Sequence, residues 1–195
     1  MVLQNSNIFK GLNKEDIKLI EEKSKYLIYK IGQPLSSDKN IQSNVLIILS
    51  GTARLLGKEN DKSITIAKLG AGSSIGLASL LRAEACEEVN ASTEVKVISI
   101  PDQLIIDLYT KNLQFQKNCN DYIYPSEVKA IVDKLISRSS RTDINLKTAF
   151  NVLFKNSNIQ TFKQGEKIPL NQDFINLIAS ANYENKEIGD LLDCE

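Results

Sequence analysis

The stretch Gly72-Ser-Ser-Ile-Gly-Leu-Ala-Ser-Leu-Leu-Arg82 combines two closely spaced glycines with a short run of small and apolar residues. After a short linker, Val89-Asn-Ala-Ser-Thr-Glu-Val-Lys-Val-Ile-Ser-Ile-Pro101 contains two runs rich in β-branched residues. The first stretch predicts a glycine turn that leads into a short helix. The second predicts two strands, followed by a proline that opens a helix. Backbone N–H groups at such a turn are a common place for proteins to hold phosphate.

The segments before this stretch have the composition of short β-strands. Aromatic and β-branched residues are concentrated at 26–31, 45–49, 52–56 and 63–67. Gly32 and Pro34 interrupt the first run, and Ser50-Gly51 predicts a hairpin between the second and third runs, with Gly51 at positive φ. Short strands separated by turns predict a β-sandwich or a barrel-like roll.

Helical periodicity flanks the strands on both sides. Residues 8–24 predict an amphipathic helix, with Asn13 as its N-cap and Glu15 and Asp16 in its first turn. Three further helices are predicted from the apolar stripes Leu104, Ile105, Leu108, Tyr109; Val128, Ile131, Val132, Leu135, Ile136; and Leu146, Ala149, Phe150, Leu153. The second of these helices is predicted to begin near Pro125, and the third to cover roughly 143–154. We expect these helices to pack on the roll or on one another, and the alternative is a helix that binds a partner or dimerises.

The last part of the chain resembles its beginning. Residues 161–168 and 174–180 repeat, with a shorter spacer, the pattern of residues 29–35 and 45–50. The similarity indicates either a second, shortened β unit or a chance repeat of two β-like runs around a glycine turn. We therefore divide the chain into 1–120, a roll with flanking helices, and 121–195, a helical extension that ends in a short β-like segment. That extension is a truncated second unit or a linker to a further domain.

Composition excludes several classes of function. The 24 basic and 24 acidic residues cancel, so nucleic acid is not an expected partner. The chain has no histidine, which excludes Ser-His, Cys-His and histidine-metal chemistry. Cys86, Cys119 and Cys194 lack the spacing of metal ligands, and their odd number argues for a reducing, cytoplasmic compartment. No apolar run is long enough to span a bilayer.

Several of these residues resemble the signposts of the cyclic nucleotide-binding domain superfamily, which includes the catabolite activator protein. The matching positions, roughly within residues 8–120, are Gly32, Ser50, Gly51, Gly72, Gly76, Val89, Ala91, Val95, Ile98 and Pro101. The resemblance implies an α+β fold: an antiparallel β-roll, or jelly-roll-like double-stranded β-helix, flanked by N- and C-terminal helices, with a small α/β tail. It also implies that the glycine stretch is a phosphate-binding cassette.

Two positions depart from the family pattern. Where family members that bind cyclic nucleotides have a glutamate for the ribose hydroxyl, this sequence has Leu77, and the position of the phosphate-binding arginine is Ala85. Glu84, Glu87 and Glu88 would repel an anion. Tight binding of cAMP or cGMP is therefore not expected, and no cofactor or metal is predicted. The candidate ligand-binding residues of the cassette are Gly76, Leu77, Ala78, Ser79, Arg82, Ala85 and Cys86.

Arg82 has two interpretations. Its guanidinium suits phosphate, and it lies close to the lost arginine position. The alternative is a solvated charge at a helix end that pairs with Glu84 or with the last carbonyl groups. A similar choice applies to Lys129, Lys134, Arg138 and Arg141, which form either a solvated basic surface or a site for an acidic partner.

The function predicted from the sequence is a non-catalytic regulatory or docking module, with no catalytic residues. The alternatives are a ligand-responsive transcription regulator of the catabolite-activator type, and an anion or nucleotide sensor that uses Arg82. The order of segments after Tyr124 is also similar to the N-terminal regions of cyanobacterial peptidase-containing ABC exporters. That similarity implies a cytoplasmic module, held at the inner face of the membrane by attached domains. The expected partner is a protein, the remainder of a longer polypeptide or a second copy of this chain.

Overall fold

A computed structural model describes residues 3, 6–59, 62–141, 143–163, 165–179 and 185–192 of the chain. The contacts divide the chain into two compact units, Met1–Tyr122 and Ile123–Glu195, which are described separately below. Cys194 and part of the predicted β-like run at 174–180 lie outside the described residues.

The first unit contains all the strands named here and four of the helices. A 3-10 turn, Asn7–Phe9, precedes the regular elements. In chain order these are α1 Lys14–Lys23, β1 Lys25–Tyr29, β2 Pro34–Ser36, β3 Asn44–Ser50, β4 Ala53–Glu59, β5 Lys62–Leu69, β6 Ser74–Ile75, α2 Leu77–Arg82, β7 Val89–Ala91, β8 Val95–Pro101, α3 Asp102–Lys111 and α4 Leu113–Asn120.

The strands form two antiparallel four-stranded sheets, which confirms the predicted α+β roll. The strand order is β1-β8-β3-β6 in one sheet and β2-β7-β4-β5 in the other. One cluster of buried side chains receives residues from both sheets, because alternate residues of each strand point to the same face. Its members are Leu35, Leu46, Ile48, Ala53, Leu55, Leu69, Ile75, Val89, Ala91, Val95 and Val97.

The predicted hairpin at Ser50-Gly51 is wrong. Gly51 has the expected positive φ of 88°, but β3 pairs with β6 and β8, whereas β4 pairs with β5 and β7. The turn therefore carries the chain from one sheet to the other. Position 51 requires glycine on this path, because a Cβ atom there would collide with the Glu94 backbone.

The N-terminal helical prediction is confirmed in part. The predicted helix over 8–24 is interrupted by Gly11, at φ 80°, so that only α1 is regular. Asn13 is its N-cap, as predicted, and its side chain accepts a hydrogen bond of 2.7 Å from the Asp16 N–H. The sequence analysis missed α4, whose Phe115 ring stacks on that of Phe9 with 5.5 Å between ring centroids.

The second unit contains α5, Pro125–Arg138, and α6, Leu146–Asn156, which pack against each other. Pro125 opens α5, and Val128, Ile131 and Val132 of the predicted stripe are buried. The stripe does not continue as far as predicted, because Leu135 is 38% exposed. These two helices begin close to their predicted positions.

The second β unit predicted for the tail is not found among the described residues 157–163, 165–179 and 185–192. Their only β pairing is an isolated bridge between Leu177 and Leu191. Phe174 and Ile175, which were expected to belong to a strand, are 60% and 79% exposed. Without a neighbouring strand, an apolar run lacks the backbone partners that would hold it in a sheet.

The four basic residues considered above for an acidic partner pair with acidic residues of the second unit. The Nζ atom of Lys134 lies 3.1 Å from a carboxylate oxygen of Glu187. The guanidinium nitrogen atoms of Arg138 lie 2.5 Å from a carboxylate oxygen of Asp190 and 3.4 Å from one of Glu187. The remaining pairs are Lys129 with Asp133 and Arg141 with Asp143. The acidic partner considered in the sequence analysis is thus supplied by the chain's own tail and loops.

Candidate functional site

The segment from Gly76 to Glu87, which we call the cassette, links β6 to β7 and contains α2. Gly76 is buried and has φ 86°, a backbone conformation that favours glycine. A Cβ atom there would lie 3.2 Å from the Asn44 carbonyl oxygen. Both the conformation and the close approach therefore require glycine at the start of the cassette.

The next residues direct their side chains into the protein. Leu77 and Ala78 have no exposed surface, and Ser79 is 4% exposed. Leu77, which the family resemblance places at the position of the ribose-binding glutamate, has an apolar side chain that belongs to the core. It has no group that can accept a hydrogen bond from a hydroxyl.

Two predicted site residues, Ser79 and Cys86, are in direct contact. The Ser79 hydroxyl accepts a hydrogen bond of 3.1 Å from the Cys86 N–H, and its oxygen lies 3.4 Å from the Cys86 sulfur. These contacts connect α2 to the segment that enters β7. Ala85 is half-buried and contributes only a methyl group where the family has its arginine.

Glu87 is the residue that the sequence analysis misjudged. The sequence predicts that Glu87 repels an anion, but its side chain is only 4% exposed, and its carboxyl group accepts a hydrogen bond from the Gly76 N–H. The alternation of buried residues in β7, continued back to position 87, would have predicted that the Glu87 side chain is buried. Glu87 precedes the buried Val89 and Ala91 at intervals of two, so it lies on the inward face.

Arg82 ends α2, and its charged group has an unusual environment. All three of its guanidinium nitrogen atoms are buried and lack a hydrogen-bond partner. The interpretation of Arg82 as a solvated charge paired with Glu84 or with helix carbonyl groups is therefore wrong. A buried cation without a partner is costly, so its environment favours the approach of a negatively charged group.

A separate small cleft lies outside the cassette. It has a volume of about 140 Å³ and is lined by Ser6, Asn7, Ile8, Ala71, Gly72, Ser73, Ser74 and Tyr122. Pockets for drug-sized ligands have volumes of roughly 300–1,000 Å³. Burial raises the pKa of Tyr122 above its ordinary value. No predicted site residue lines this cleft.

Other kinds of site find no support in the part of the chain that is described. Within those residues, no group of three or more histidine, cysteine, aspartate and glutamate side chains is placed to hold a metal ion. None of the described helices combines the length and the apolar composition of a membrane span.

Comparisons with known proteins can be set against this geometry. Residues 27–112 match the sequence model of the family described as Cyclic nucleotide-binding domain. No curated protein matches the chain. Among solved structures, the Thermus thermophilus catabolite activator protein is similar, with a TM-score of 0.52 and 18% identity. That match covers 75% of this chain and 80% of the activator.

Two further structures have a similar fold. A candidate cAMP-binding regulatory protein from Silicibacter pomeroyi DSS-3 has a TM-score of 0.53 and 16% identity, over 72% of this chain and 65% of that one. The regulatory subunit of a cAMP-independent protein kinase A from Trypanosoma cruzi, solved with guanosine, has a TM-score of 0.50 and 16% identity. There the match covers 60% of this chain and 45% of the subunit.

The extent of these matches limits what they show. This chain spans 47% of the length of the corresponding Trypanosoma brucei subunit, and identities this low establish a common fold rather than a common ligand. The matched residues begin within β1 and end just after α3, so they include both sheets and the cassette. Residues 27–112, which contain the roll, therefore match the model of the cyclic nucleotide-binding domain family and have a fold similar to that of the catabolite activator protein.

Proposed function

We propose that this chain is a non-catalytic regulatory or docking module whose roll does not bind cAMP or cGMP tightly. The family match supports a regulatory role, because the similar structures include an activator protein and a kinase regulatory subunit. The absence of histidine from the sequence supports a non-catalytic role, since it excludes the commonest general acid–base residue.

The observation that carries the proposal is the complete burial of the apolar Leu77 side chain at the start of α2. A ligand hydroxyl that reached this position would lose its hydrogen bonds to water and gain none from the protein. Because Ala85 supplies no cation, the phosphate loses its expected partner as well. In this proposal, the cassette lacks both of the charged contacts that the family resemblance implies.

The energetic consequence is large enough to abolish tight binding. A charge-assisted contact to phosphate contributes ~2–5 kcal/mol. A hydrogen bond from a charged group to a hydroxyl contributes ~1.5–3 kcal/mol. Together these losses amount to ~3–8 kcal/mol, which weakens a micromolar ligand to millimolar or beyond.

Thermal unfolding of the purified chain with millimolar cAMP, cGMP or cyclic dinucleotides tests the proposal. A ligand present at 100 times its dissociation constant adds ~2.7 kcal/mol to the free energy of unfolding, which raises Tm by several degrees. We expect no shift beyond that produced by AMP or GMP at the same concentration. A shift specific to one cyclic nucleotide would overturn the proposal.

A second candidate is a DNA-binding regulator, because the match to the catabolite activator protein extends over 75% of this chain. DNA binding requires basic side chains that are free to neutralise phosphates. Here Lys134 and Arg138 are paired with Glu187 and Asp190. Fluorescence anisotropy with a mixed-sequence duplex at 50 mM salt distinguishes the candidates, since a regulator would bind and a docking module would not.

We further propose, from segment order alone, that the module belongs to a peptidase-containing exporter and acts at the inner face of the membrane. Mass spectrometry of the native polypeptide, isolated with an antibody against this chain, tests this placement. Peptidase and ATPase peptides on the same polypeptide would support it. A native polypeptide that contains no such peptides would exclude it.

A further inference from the structure

We propose that the cassette is a carboxylate-binding site that the chain fills with its own Glu87 side chain. This inference rests on the proposed function, in which cyclic nucleotides do not occupy the cassette. The inference adds that the Glu87 side chain occupies the cassette, and that the chemical class the cassette accepts is a carboxylate. The module would then be held permanently in a filled state.

The first argument is the contact itself. The carboxyl group of Glu87 is buried and receives the N–H of Gly76, which belongs to the glycine turn that the family resemblance associates with an anion. A buried carboxyl group is costly unless its oxygens are hydrogen-bonded, so a contact of this kind is formed because both groups require it.

The second argument is that the backbone fixes Glu87 in this place. The Ser36 hydroxyl, itself buried, donates a hydrogen bond of 2.9 Å to the Glu87 carbonyl oxygen. The Leu56 N–H donates a hydrogen bond of 2.8 Å to the next carbonyl, that of Glu88. Ser36 of β2 and Leu56 of β4, the strands on either side of β7, thus hold the backbone at Glu87 and Glu88. The fold therefore fixes the position from which the Glu87 side chain reaches Gly76.

A third, independent observation concerns Arg82 in the same segment. Its guanidinium nitrogen atoms are buried and have no hydrogen-bond partner, so a negative charge elsewhere in the same segment lowers the electrostatic cost of burying this cation. Glu84 and Glu88 flank the site in sequence, so a doubly charged phosphate monoester, unlike the singly charged phosphodiester of a cyclic nucleotide, is repelled more strongly than a carboxylate. A carboxylate is also the group that the structure already contains there.

Two steps test this inference in the full chain: the Glu87 side chain is removed by substitution, and a small carboxylate is then added to the solution to take its place. Glu87→Ala leaves the Gly76 N–H without its acceptor and opens a space of carboxylate size. We expect a lowered Tm that formate or acetate, at concentrations well above their dissociation constants, raises by about 2–4 °C relative to chloride at equal ionic strength. The unsubstituted chain should show no such difference.

Glu84→Ala is the matched control, because Glu84 lies in the same segment but is exposed. It should leave Tm nearly unchanged and show no response to carboxylates. If Glu87→Ala behaves like Glu84→Ala, or if carboxylates fail to raise its Tm, the inference is wrong. That failure would leave the thermal-shift result with cyclic nucleotides unaffected, so the two proposals fail separately.

Hydrogen exchange of the Gly76 amide in the unsubstituted chain keeps the test decisive if Glu87→Ala does not fold. We expect this amide to be protected, and we expect Glu87→Gln, which retains an acceptor oxygen, to preserve the protection. A Gly76 amide that exchanges at the rate of an exposed loop would contradict the inference.

Discussion

The carboxyl group of Glu87 and the backbone N–H of Gly76 are hydrogen-bonded across the cassette, eleven residues apart in the sequence. An arginine at position 85 alone would therefore meet a cassette that is already occupied. We predict that Ala85→Arg gains no cyclic nucleotide binding, whereas Ala85→Arg combined with Glu87→Ala gains weak, saturable binding.

The expected gain follows from restoring one charge-assisted phosphate contact, which contributes ~2–5 kcal/mol, or roughly 30-fold or more in affinity. Fluorescence titration with a labelled cAMP measures it. Equal binding by the single and double variants would show that Glu87 does not compete for the site.

The path of the chain from one sheet to the other predicts that alanine substitutions at two glycines with the same backbone conformation lower the free energy of unfolding by different amounts. Gly51 and Gly32 have φ values of 88° and 83°. A Cβ atom at Gly51 would collide with the Glu94 backbone, whereas one at Gly32 would have no neighbour within 4 Å. Gly32→Ala should cost about 1–2 kcal/mol from the left-handed conformation alone, and Gly51→Ala clearly more.

Urea unfolding followed by fluorescence measures both free energies of unfolding. Similar losses for the two variants would mean that the Glu94 backbone moves away from position 51 at little cost.

The contact between α4 and the N-terminal 3-10 turn predicts a large effect of truncating Phe115. Its ring is fully buried and stacked on Phe9. Phe115→Ala should lower the free energy of unfolding by about 3–5 kcal/mol, because it leaves a cavity. Leu113→Ala, in the same helix at a site 81% exposed, is the control and should change stability by less than ~0.5 kcal/mol. Comparable losses would show that α4 is not anchored through Phe115.

The turn at residues 187–190, closed by a hydrogen bond from the Asp190 N–H to the Glu187 carbonyl oxygen, predicts a low pKa for the Asp190 carboxyl group. The backbone N–H of Glu187, 2.5 Å from the Asp190 carboxylate, and the Arg138 guanidinium together lower this pKa below its ordinary value of 3.8. A carboxyl group whose pKa is lower in the folded state stabilises that state above pH ~4, and this contribution is lost as the pH falls through the folded pKa.

An NMR titration of the Asp190 carboxyl group between pH 2 and 6 measures this value. Arg138→Gln should raise the pKa without restoring the ordinary value, because the backbone hydrogen bond remains. A pKa at or above 3.8 in the unsubstituted chain would mean that the turn is not formed in solution.

Local sequence signals were sufficient to predict the turns at the glycines and the first residues of most helices. Gly51, Gly72 and Gly76 all have positive φ, and Asn13 and Pro125 begin helices as predicted. These features depend on a few neighbouring residues, whose conformational preferences are strong.

The errors arose where the outcome depended on distant residues. The Ser50-Gly51 turn has the same local signature whether the next strand stays in its sheet or crosses to the other, and the outcome depends on pairing with the distant strands β7 and β8. Glu87 was misjudged because its charge was considered without the strand alternation that buries it. The helix α4 was missed because its Phe115 and Cys119 form too short an apolar stripe.

Isothermal titration calorimetry of the unsubstituted chain with cAMP and cGMP, up to about 1 mM of each, tests most directly whether the cassette has lost its nucleotide. The burial of Leu77, the alanine at position 85 and the Glu87 carboxyl group predict no saturable heat in this range, which corresponds to a binding free energy weaker than about −4.1 kcal/mol. A saturable isotherm with a micromolar dissociation constant would contradict that prediction, and would show that the cassette is an open nucleotide site.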